Sequence, residues 1–213
     1  MKARDMTAES GWRGSRDGWL EAGYQGLIDG GVDAVKIQPL AKGLNLSRTS
    51  FYWFFDDREA LLSALIDGWA DRTTTPLLRA TQEYAESQTE AMLNVLACFL
   101  TGAFDTRLEF AVRSWALQDD AVCARVADAD ERRLAALRDL LTRHGHGPQQ
   151  ADVRARTIYL TQIGYISMRA QEEVETRLSR IPNYVEIYTG QTAEPREIAR
   201  FTARIAAAID PSA

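Results

Sequence analysis

Three consecutive residues offer the most specific chemistry in this sequence. Arg48, Thr49 and Ser50 come directly after Ser47, and serine is a residue type that favours the position before a helix. An arginine in the first turn of a short helix can reach guanine edges or phosphate oxygens, and threonine and serine hydroxyls can hydrogen-bond to either group. If these side chains face outward, the segment is suited to contact double-stranded DNA.

Two aromatic residues that follow shortly after Ser50, namely Tyr52 and Trp53, favour the same interpretation. A solvated helix gains nothing by exposing a tryptophan, whereas rings with a polar edge can lie against the sugar-phosphate backbone. We expect one of these two rings to belong to the core. The alternative is a helical hairpin whose exposed residues are solvated, which is common in all-α proteins.

The distribution of charge indicates that any DNA-binding face is small. The net charge is −5, whereas a non-specific nucleic-acid binder is usually basic overall. Between residues 34 and 55, however, Lys36, Lys42 and Arg48 occur without any acidic residue. Residues 61–213 hold 17 Lys and Arg against 21 Asp and Glu, so we expect an acidic remainder that is kept away from phosphate.

Motifs of the common enzyme classes are missing from the sequence. It has no glycine-rich phosphate loop, no Gly-x-Ser-x-Gly and no His-Glu-x-x-His. The two histidines, His144 and His146, have no further ligands nearby, so a helix end explains them better than a metal site. We expect no catalytic residue, metal or cofactor, while a helical enzyme and an adaptor protein without DNA binding remain the alternatives.

Composition predicts a cytoplasmic globular protein. A chain of 213 residues, of which 46% are hydrophobic and 26% charged, can bury a sizeable core. No stretch approaches the roughly 18–20 apolar residues of a membrane span, and the first residues lack the apolar segment of a signal peptide. Cys98 and Cys123 lie far apart, which favours buried free thiols over a disulfide.

Helical periodicity organises the segment around these residues into a small unit. Ser15 can cap a helix over 16–29, and Gly30-Gly31 can end it. A short helix at 38–42, a turn at 43–46 and a second short helix from Arg48 follow, which is the order of a helix-turn-helix. Leu40, Ala41, Leu46 and Phe51 would face the core of this unit, and Asp56 or Asp57 can cap the next helix, which starts at Arg58.

After Pro76 the pattern predicts helices only. The segment 181–190 is expected to be an ordered loop with exposed aromatic residues. The predicted fold is all-α, with an N-terminal three-helix DNA-binding unit joined to a larger C-terminal helical bundle. The predicted parts are a mobile arm at 1–14, a helix-turn-helix domain at 15–62 and a C-terminal domain at 63–213. The predicted later helices cover about 77–86, 89–102, 106–118, 121–144, 149–179 and 195–209.

Residues 16–66 also contain a characteristic series of pairs, namely Leu40-Ala41, Leu46-Ser47, Phe51-Tyr52 and Asp57-Arg58, together with Phe55. In this order the segment resembles the TetR family of one-component repressors, which has Ile-Ala, Val-Ser, Leu-Tyr, Phe and Lys at the corresponding places. Asn45 stands where the family's turn usually has glycine, and asparagine can replace it because it tolerates positive φ.

The resemblance implies roles for individual residues. Arg48, Thr49 and Ser50 would face bases, Tyr52 and Trp53 would contact the backbone, and Arg58 would replace a lysine that binds phosphate. The protein would be a repressor that a small molecule releases from its operator, although the sequence leaves activation open. The predicted DNA-binding residues are Gln38, Ser47, Arg48, Thr49, Ser50, Tyr52, Trp53 and Arg58.

The resemblance further implies a homodimer formed by two long helices of the C-terminal part. A stripe of small residues on the helix at 149–179 and an apolar face on the last helix are compatible with such an interface. The alternative is that both faces pack within one chain. The predicted interface residues are Thr157, Thr161, Gly164, Met168, Ile198, Phe201, Thr202 and Ile205.

A pocket for an unknown small-molecule effector is the third implication. Large aromatic and sulfur-containing side chains occur throughout residues 69–159, and most of them must form the core. A buried Arg113 could fix an anionic ligand, although a structural salt bridge is the more common outcome. The predicted pocket residues are Trp69, Met92, Phe99, Phe104, Arg113, Trp115 and Tyr159.

Overall fold

The computed structural model describes residues 14–209, and this part of the chain is helical without any strand. The all-α fold predicted from the sequence is therefore confirmed. The predicted mobile arm at 1–14 lies outside the described residues except for Gly14. The helices are α1 (Arg16–Gly30), α2 (Ile37–Gly43), α3 (Arg48–Phe51), α4 (Arg58–Arg72), α5 (Thr74–Ala80), α6 (Gln88–Leu100), α7 (Thr106–Ala116), α8 (Asp120–Arg143), α9 (Pro148–Ser167), α10 (Val174–Thr189) and α11 (Pro195–Ile209), with a 3-10 turn (Val32–Ala34) between α1 and α2.

The ends of the N-terminal helices follow the local signals in the sequence. The Ser15 side chain accepts a hydrogen bond from the Gly18 amide at 3.0 Å and so caps α1. Gly31 ends this helix with a φ of +73°, which glycine adopts without steric cost. Of the two candidate caps for α4, it is Asp57 that accepts from the Ala60 amide, at 2.8 Å.

Helices α1 and α4 cross at close range. The Tyr24 hydroxyl on α1 donates to the Leu65 carbonyl on α4 at 3.2 Å. A Cβ atom placed on Gly68 would lie 2.1 Å from this hydroxyl oxygen, so only glycine leaves room for the contact. This hydrogen bond and Gly68 therefore help to fix the position of α1 on α4.

The first hydrophobic core extends well beyond the helix-turn-helix. It contains Trp19, Phe51 and Trp69 from the N-terminal helices, and Val112 on α7 and Val126 on α8 belong to the same cluster of buried side chains. Helices α7 and α8 therefore close the core of the DNA-binding unit. The predicted domain boundary between residues 62 and 63 falls within α4, and the first core continues across it. The boundary itself stays a prediction.

The second core is built around α6, most of whose residues are buried. Phe201 and Ile205 of α11 are buried in this core, and Ile198 packs against it while remaining partly exposed. Because their side chains are covered within one chain, the prediction that Phe201 and Ile205 line a dimer interface is wrong. Thr202, on the outer side of the same helix, is exposed.

The connection between α9 and α10 differs from the prediction. The predicted single helix over 149–179 is interrupted after Ser167, and the predicted loop at 181–190 is mostly the second half of α10, which contains Pro182. Arg169 makes the turn with a φ of +49°, a backbone conformation that is uncommon for residues other than glycine. The Tyr188 ring is buried and stacks on Tyr184 with 5.6 Å between ring centroids, so this segment packs inward.

A buried ion pair lies between the two cores. Arg133 on α8 and Glu109 on α7 are both fully buried. The Arg133 Nη1 atom donates to Glu109 Oε1 at 2.7 Å and to the Tyr159 hydroxyl at 2.8 Å. Its Nη2 atom donates to Glu109 Oε2 and to Thr73, and its Nε atom donates to Thr74. All five guanidinium N–H groups therefore have a partner, as burial of this charge requires.

Arg113 belongs to the same network, which corrects the prediction that it binds a ligand. Its guanidinium pairs with Asp130, with Glu109 Oε1 at 2.8 Å and with the Tyr159 hydroxyl at 3.0 Å. Burial raises the pKa of the Tyr159 phenol, which thus stays protonated and can donate to Asp130 at 2.6 Å. Both side chains, predicted to line a pocket, complete a structural ion network instead.

Other predicted pocket residues are also part of the cores. The Trp69 indole donates to Glu109 Oε2 at 2.9 Å, and Trp115 lies in the first core. Met92 and Phe104 are buried in the second core, so none of these four side chains is available to a ligand.

The cysteines do not share one environment. Cys98 is a buried free thiol as predicted, and burial raises its pKa to about 12. Cys123 is free but exposed, so the prediction of burial is wrong for this residue. Across residues 14–209, no helix combines the length and the apolar character needed to cross a lipid bilayer.

Candidate nucleic-acid interface

Helices α2 and α3, with the turn between them, form the predicted helix-turn-helix. Leu40 and Ala41 on α2 are buried, and the Leu46 amide donates to the Ala41 carbonyl at 2.9 Å. The turn passes through Asn45 at a φ of +55°, which confirms that asparagine takes a left-handed position here. The small side chain of Ala41 allows the turn to lie directly against α2.

Phe51 anchors α3 to the rest of the unit. Its ring is fully buried and meets the Trp19 ring edge-on at a centroid distance of 5.2 Å. It also stacks on Phe55 at 5.4 Å. After α3 the chain continues in tight turns, with the Phe54 amide donating to the Phe51 carbonyl at 2.9 Å, so the helix ends at Phe51. One aromatic residue thereby fixes the direction in which the exposed side of α3 points.

The exposed side of α3 presents both polar and aromatic groups. Arg48 and Thr49 are exposed, and the Arg48 Nη2 atom donates to the Tyr52 hydroxyl at 3.2 Å. The Tyr52 and Trp53 side chains are 47% and 63% exposed, respectively. The expectation that one of these two rings is core is therefore wrong, because Phe51 already fills the core position. The helix offers hydrogen-bonding groups and two flat rings on one surface.

Two serines behave differently from the prediction. Ser50 is only 1% exposed, and its hydroxyl donates to the Ser47 carbonyl at 2.7 Å. A hydroxyl that is buried and already bonded cannot read a base edge, so the predicted role of Ser50 is wrong. Ser47 is exposed at the start of α3, where its hydroxyl bonds the Thr49 hydroxyl at 2.8 Å rather than a backbone amide.

Arg58, whose side chain is partly exposed, joins two elements of the unit. Its Nε atom donates to the Val35 carbonyl at 2.7 Å, and its Nη2 atom donates to the Val32 carbonyl at 2.8 Å. Its third contact is an ion pair with Glu59 at 3.1 Å. The guanidinium therefore joins the start of α4 to the 3-10 turn, and the predicted phosphate contact of Arg58 stays a prediction.

We expect the Arg58→Ala substitution to lower the free energy of unfolding by about 1–3 kcal/mol, because two partly buried carbonyls lose their donor. Arg58→Lys should restore only part of this loss, since an ammonium group cannot reproduce the two-pronged guanidinium geometry. Urea unfolding measures both effects, and Arg48→Ala serves as the exposed control. An Arg58→Ala variant of unchanged stability but weakened DNA binding would instead support the phosphate contact.

The segment that contains α2 and α3 carries positive charge only. Lys36 and Lys42 are exposed on either side of the buried pair of α2, and Gln38 is exposed in the first turn of this helix. Residues 34–55 contain no carboxylate that could neutralise these cations. The predicted site residues left out the two lysines, although their place in an acid-free segment was the signal that could have found them. The face can thus attract phosphate while Arg48 and Thr49 approach bases.

Comparisons with known proteins give the same result for this unit and for the fold. Residues 20–65 match the family model described as bacterial regulatory proteins, tetR family. No curated protein matches the sequence. Among solved structures, GusR of Salmonella enterica aligns with a TM-score of 0.61 at 14% identity, covering 90% of this chain and 95% of that one.

A second solved structure is similar over most of its length. A transcriptional regulator of the TerR/AcrR family from Aquifex aeolicus VF5 aligns with a TM-score of 0.56 at 18% identity, covering 83% of this chain and 96% of that one. Identities this low show the fold alone, and the family match is confined to residues 20–65. Residues 20–65 therefore match the tetR family of bacterial regulatory proteins, and the chain shares the fold of these two solved structures.

Proposed function

We propose that this protein is a transcriptional repressor that binds an operator as a homodimer and is released by a small-molecule ligand. The observation that carries the DNA-binding part is the exposed, acid-free surface formed by Arg48, Thr49, Tyr52 and Trp53 on a helix-turn-helix. TetR-family regulators are generally non-enzymatic transcription factors, and neither sequence motif nor fold favours the alternative of a helical enzyme.

The outer face of α9 supports the homodimer. Val153 and Leu160 on this helix, Met168 directly after it and Ile187 on α10 are large apolar residues that remain exposed. Gly164 lies on the same helix with open space around its Cα atom, so nothing in its own chain requires a glycine there. These positions are spaced to form one stripe, which a second copy of the chain would cover about a two-fold axis.

A two-fold dimer places requirements on the DNA. Each copy contributes one short α3, and two such helices read half-sites that are about 34–36 Å apart along the duplex. The operator should therefore be an imperfect palindrome. Thr157 and Thr161 remain proposed interface residues, together with the exposed apolar residues of α9 and α10.

The Arg48→Ala substitution tests the reading surface. The operator is first selected from a random duplex library with the natural protein, and the affinities of both proteins are then measured by fluorescence anisotropy at one fixed salt concentration. We expect Arg48→Ala to lose about 1–3 kcal/mol of specific binding and to relax the preference at one base position per half-site. Arg196→Ala, at an exposed position on α11, should bind as the natural protein does. Unchanged affinity and preference in Arg48→Ala would contradict the assignment of α3.

A cavity supports the ligand-responsive part of the proposal. It has a volume of about 420 Å³ and is lined by residues from α1, α6, α7 and α9 and from the start of α10. This volume suits a small organic molecule. Of the predicted pocket residues, only Phe99 lines it. A ligand that favours one arrangement of α1 against α7 would change operator affinity, and operator DNA would change ligand affinity by the same factor.

A further inference from the structure

The cavity at the junction of α1, α7 and α9 is rich in positive charge. Arg107, Arg169 and Arg177 all line it, whereas Asp29 is its single acidic lining residue. The remaining lining side chains are polar but uncharged, or apolar. A cavity with this surplus of cations favours a negatively charged occupant.

Two of these arginines are held in place without an acidic partner. The Arg169 guanidinium lies over the Phe110 ring at 5.4 Å from its centroid, and that of Arg177 lies over the Tyr165 ring at 4.9 Å. Neither forms an ion pair with a carboxylate within residues 14–209. Stacking fixes the planar groups and leaves their N–H donors available, which suits the binding of a carboxylate or another planar acid.

The backbone at Arg169 is a second, independent observation. This residue has a φ of +49° in the turn between α9 and α10, although no glycine or asparagine occupies the position. A non-glycine residue in this conformation costs free energy, and such costs are frequently found where a side chain must be aimed at a ligand. The turn directs Arg169 into the cavity wall.

The apolar part of the site continues inward. Ile28, Phe99 and Ile166 line the main cavity. A smaller cavity of about 20 Å³ shares Tyr165 and Arg177 with it and adds Leu96, Leu100 and Ile181 from the second core. An occupant can therefore bury an apolar body while its acidic end stays near the arginines.

We propose that this cavity binds an organic anion, with its apolar body against Phe99 and Phe110 and its acidic group on Arg169 and Arg177. This rests on the proposed ligand-responsive function and adds to it the chemical class of the ligand and the residues that select it. A neutral molecule of the same shape would leave both guanidinium groups without a counter-charge and would bind more weakly.

The same cavity explains how such a ligand reaches the DNA-binding unit. Asp29 lies near the end of α1, and it accepts a hydrogen bond from Arg107 on α7 at 3.1 Å. An acidic group on Arg169 and Arg177 also attracts Arg107, which lines the same cavity, and so weakens this connection between α1 and α7. Because the pair is exposed, its loss alone changes operator affinity by at most about fivefold. A larger change in operator affinity would require the apolar body of the ligand to displace Ile28 on α1.

Two dyes that share one ring system and differ by one sulfonate group test the proposal. 8-Anilinonaphthalene-1-sulfonate is an aromatic anion, and N-phenyl-1-naphthylamine is the same ring system without the sulfonate. Fluorescence titration of the full chain should show one anionic dye bound per chain, with weaker binding of the neutral dye. Decanoate should displace the anionic dye, and decanamide should do so much less well.

The arginine variants give the decisive comparison. In the double variant Arg169→Gln and Arg177→Gln, we expect the affinity for the anionic dye to fall by about tenfold or more and that for the neutral dye to change less than twofold. Arg196→Gln is the matched surface control, and circular dichroism verifies the fold of each variant. Equal losses for both dyes, or an unchanged affinity for the anionic dye, would overturn the proposal. The dye titrations contain no DNA. A negative result in them therefore leaves the operator-binding test of Arg48→Ala unaffected, and a negative result in the operator-binding test leaves the dye titrations unaffected.

Discussion

Replacing Glu109 with glutamine is expected to lower the free energy of unfolding by about 3–5 kcal/mol. Glutamine has the same shape, but it removes the charge that faces Arg133, and both side chains are fully buried. The nearest other carboxylate to Arg133 is that of Asp130 at 3.7 Å, which is already paired with Arg113. The variant would thus hold one uncompensated cation between the two cores, and urea unfolding followed by circular dichroism measures the cost.

A double-mutant cycle separates the ion pair from packing. Arg133→Met removes the cation, and the combination of Glu109→Gln with Arg133→Met should cost less than the sum of the single changes by about 1–3 kcal/mol. Arg125→Met is the matched control, because Arg125 pairs with Asp67 on the surface and both side chains are more than half exposed. Its loss should have little effect on stability. Additive effects at residues 109 and 133 would show that the two charges do not interact.

The second large effect is expected at Leu160. Replacing this residue with arginine should convert the proposed dimer to a monomer and raise its dissociation constant by about a thousandfold or more. Leu160 is 60% exposed in one chain and lies in the middle of the apolar stripe on α9. Two-fold symmetry places the substituted side chain in the interface twice, so two charges lose water at once. Sedimentation velocity at micromolar concentration measures the association.

Operator binding provides a second measurement on the same variant. A monomer presents one α3, and one half-site supplies too few contacts for strong specific binding. Leu117→Arg is the matched control, since Leu117 is also an exposed leucine but follows α7. This control should remain a dimer and bind DNA normally. If the Leu160→Arg protein were still a dimer, the interface would have to lie on another surface.

The sequence predicted those features whose signals act over a few residues. Ser15, Asp57 and Asn45 each bond or bend the backbone within about four residues. Residue type therefore identified Ser15 and Asn45 and limited the cap of α4 to Asp56 or Asp57. The order of α2, the turn and α3 follows from the spacing of buried Leu40 and Phe51. These local features place Arg48 and Thr49 on the exposed side of the unit.

Two polar site residues, Arg58 and Ser50, make internal hydrogen bonds that the sequence analysis did not predict. Arg58 bonds carbonyls more than twenty residues earlier in the chain, at Val32 and Val35, and no local pattern reveals this. Ser50 has a residue type that suits a DNA contact, yet it turns inward because the Ser47 carbonyl offers a partner. Polarity alone did not distinguish a base-reading hydroxyl from a structural one.

The turn between α9 and α10 was missed for a different reason. Residues 168–173 contain neither glycine nor proline, whereas Pro182 lies within α10. Glycine and proline, the residues that usually mark the end of a helix, are therefore absent from the turn. Arg169 instead makes the turn with a positive φ, which non-glycine residues rarely adopt. The predicted pocket failed similarly, because the large aromatic residues fill the cores and the cavity forms where arginines and a turn meet.

The shared core of the N-terminal helices with α7 and α8 limits how this protein can be recombined. Val112 and Trp115 cover side chains of the DNA-binding unit, so a fragment that ends with α4 would expose Trp69 and neighbouring apolar residues to water. An exchange of sensor modules between regulators therefore has to carry α7 and the first turns of α8 along with the DNA-binding helices. The transferable unit of this protein is discontinuous in sequence, because α5 and α6 separate α4 from α7, and its second boundary lies inside α8.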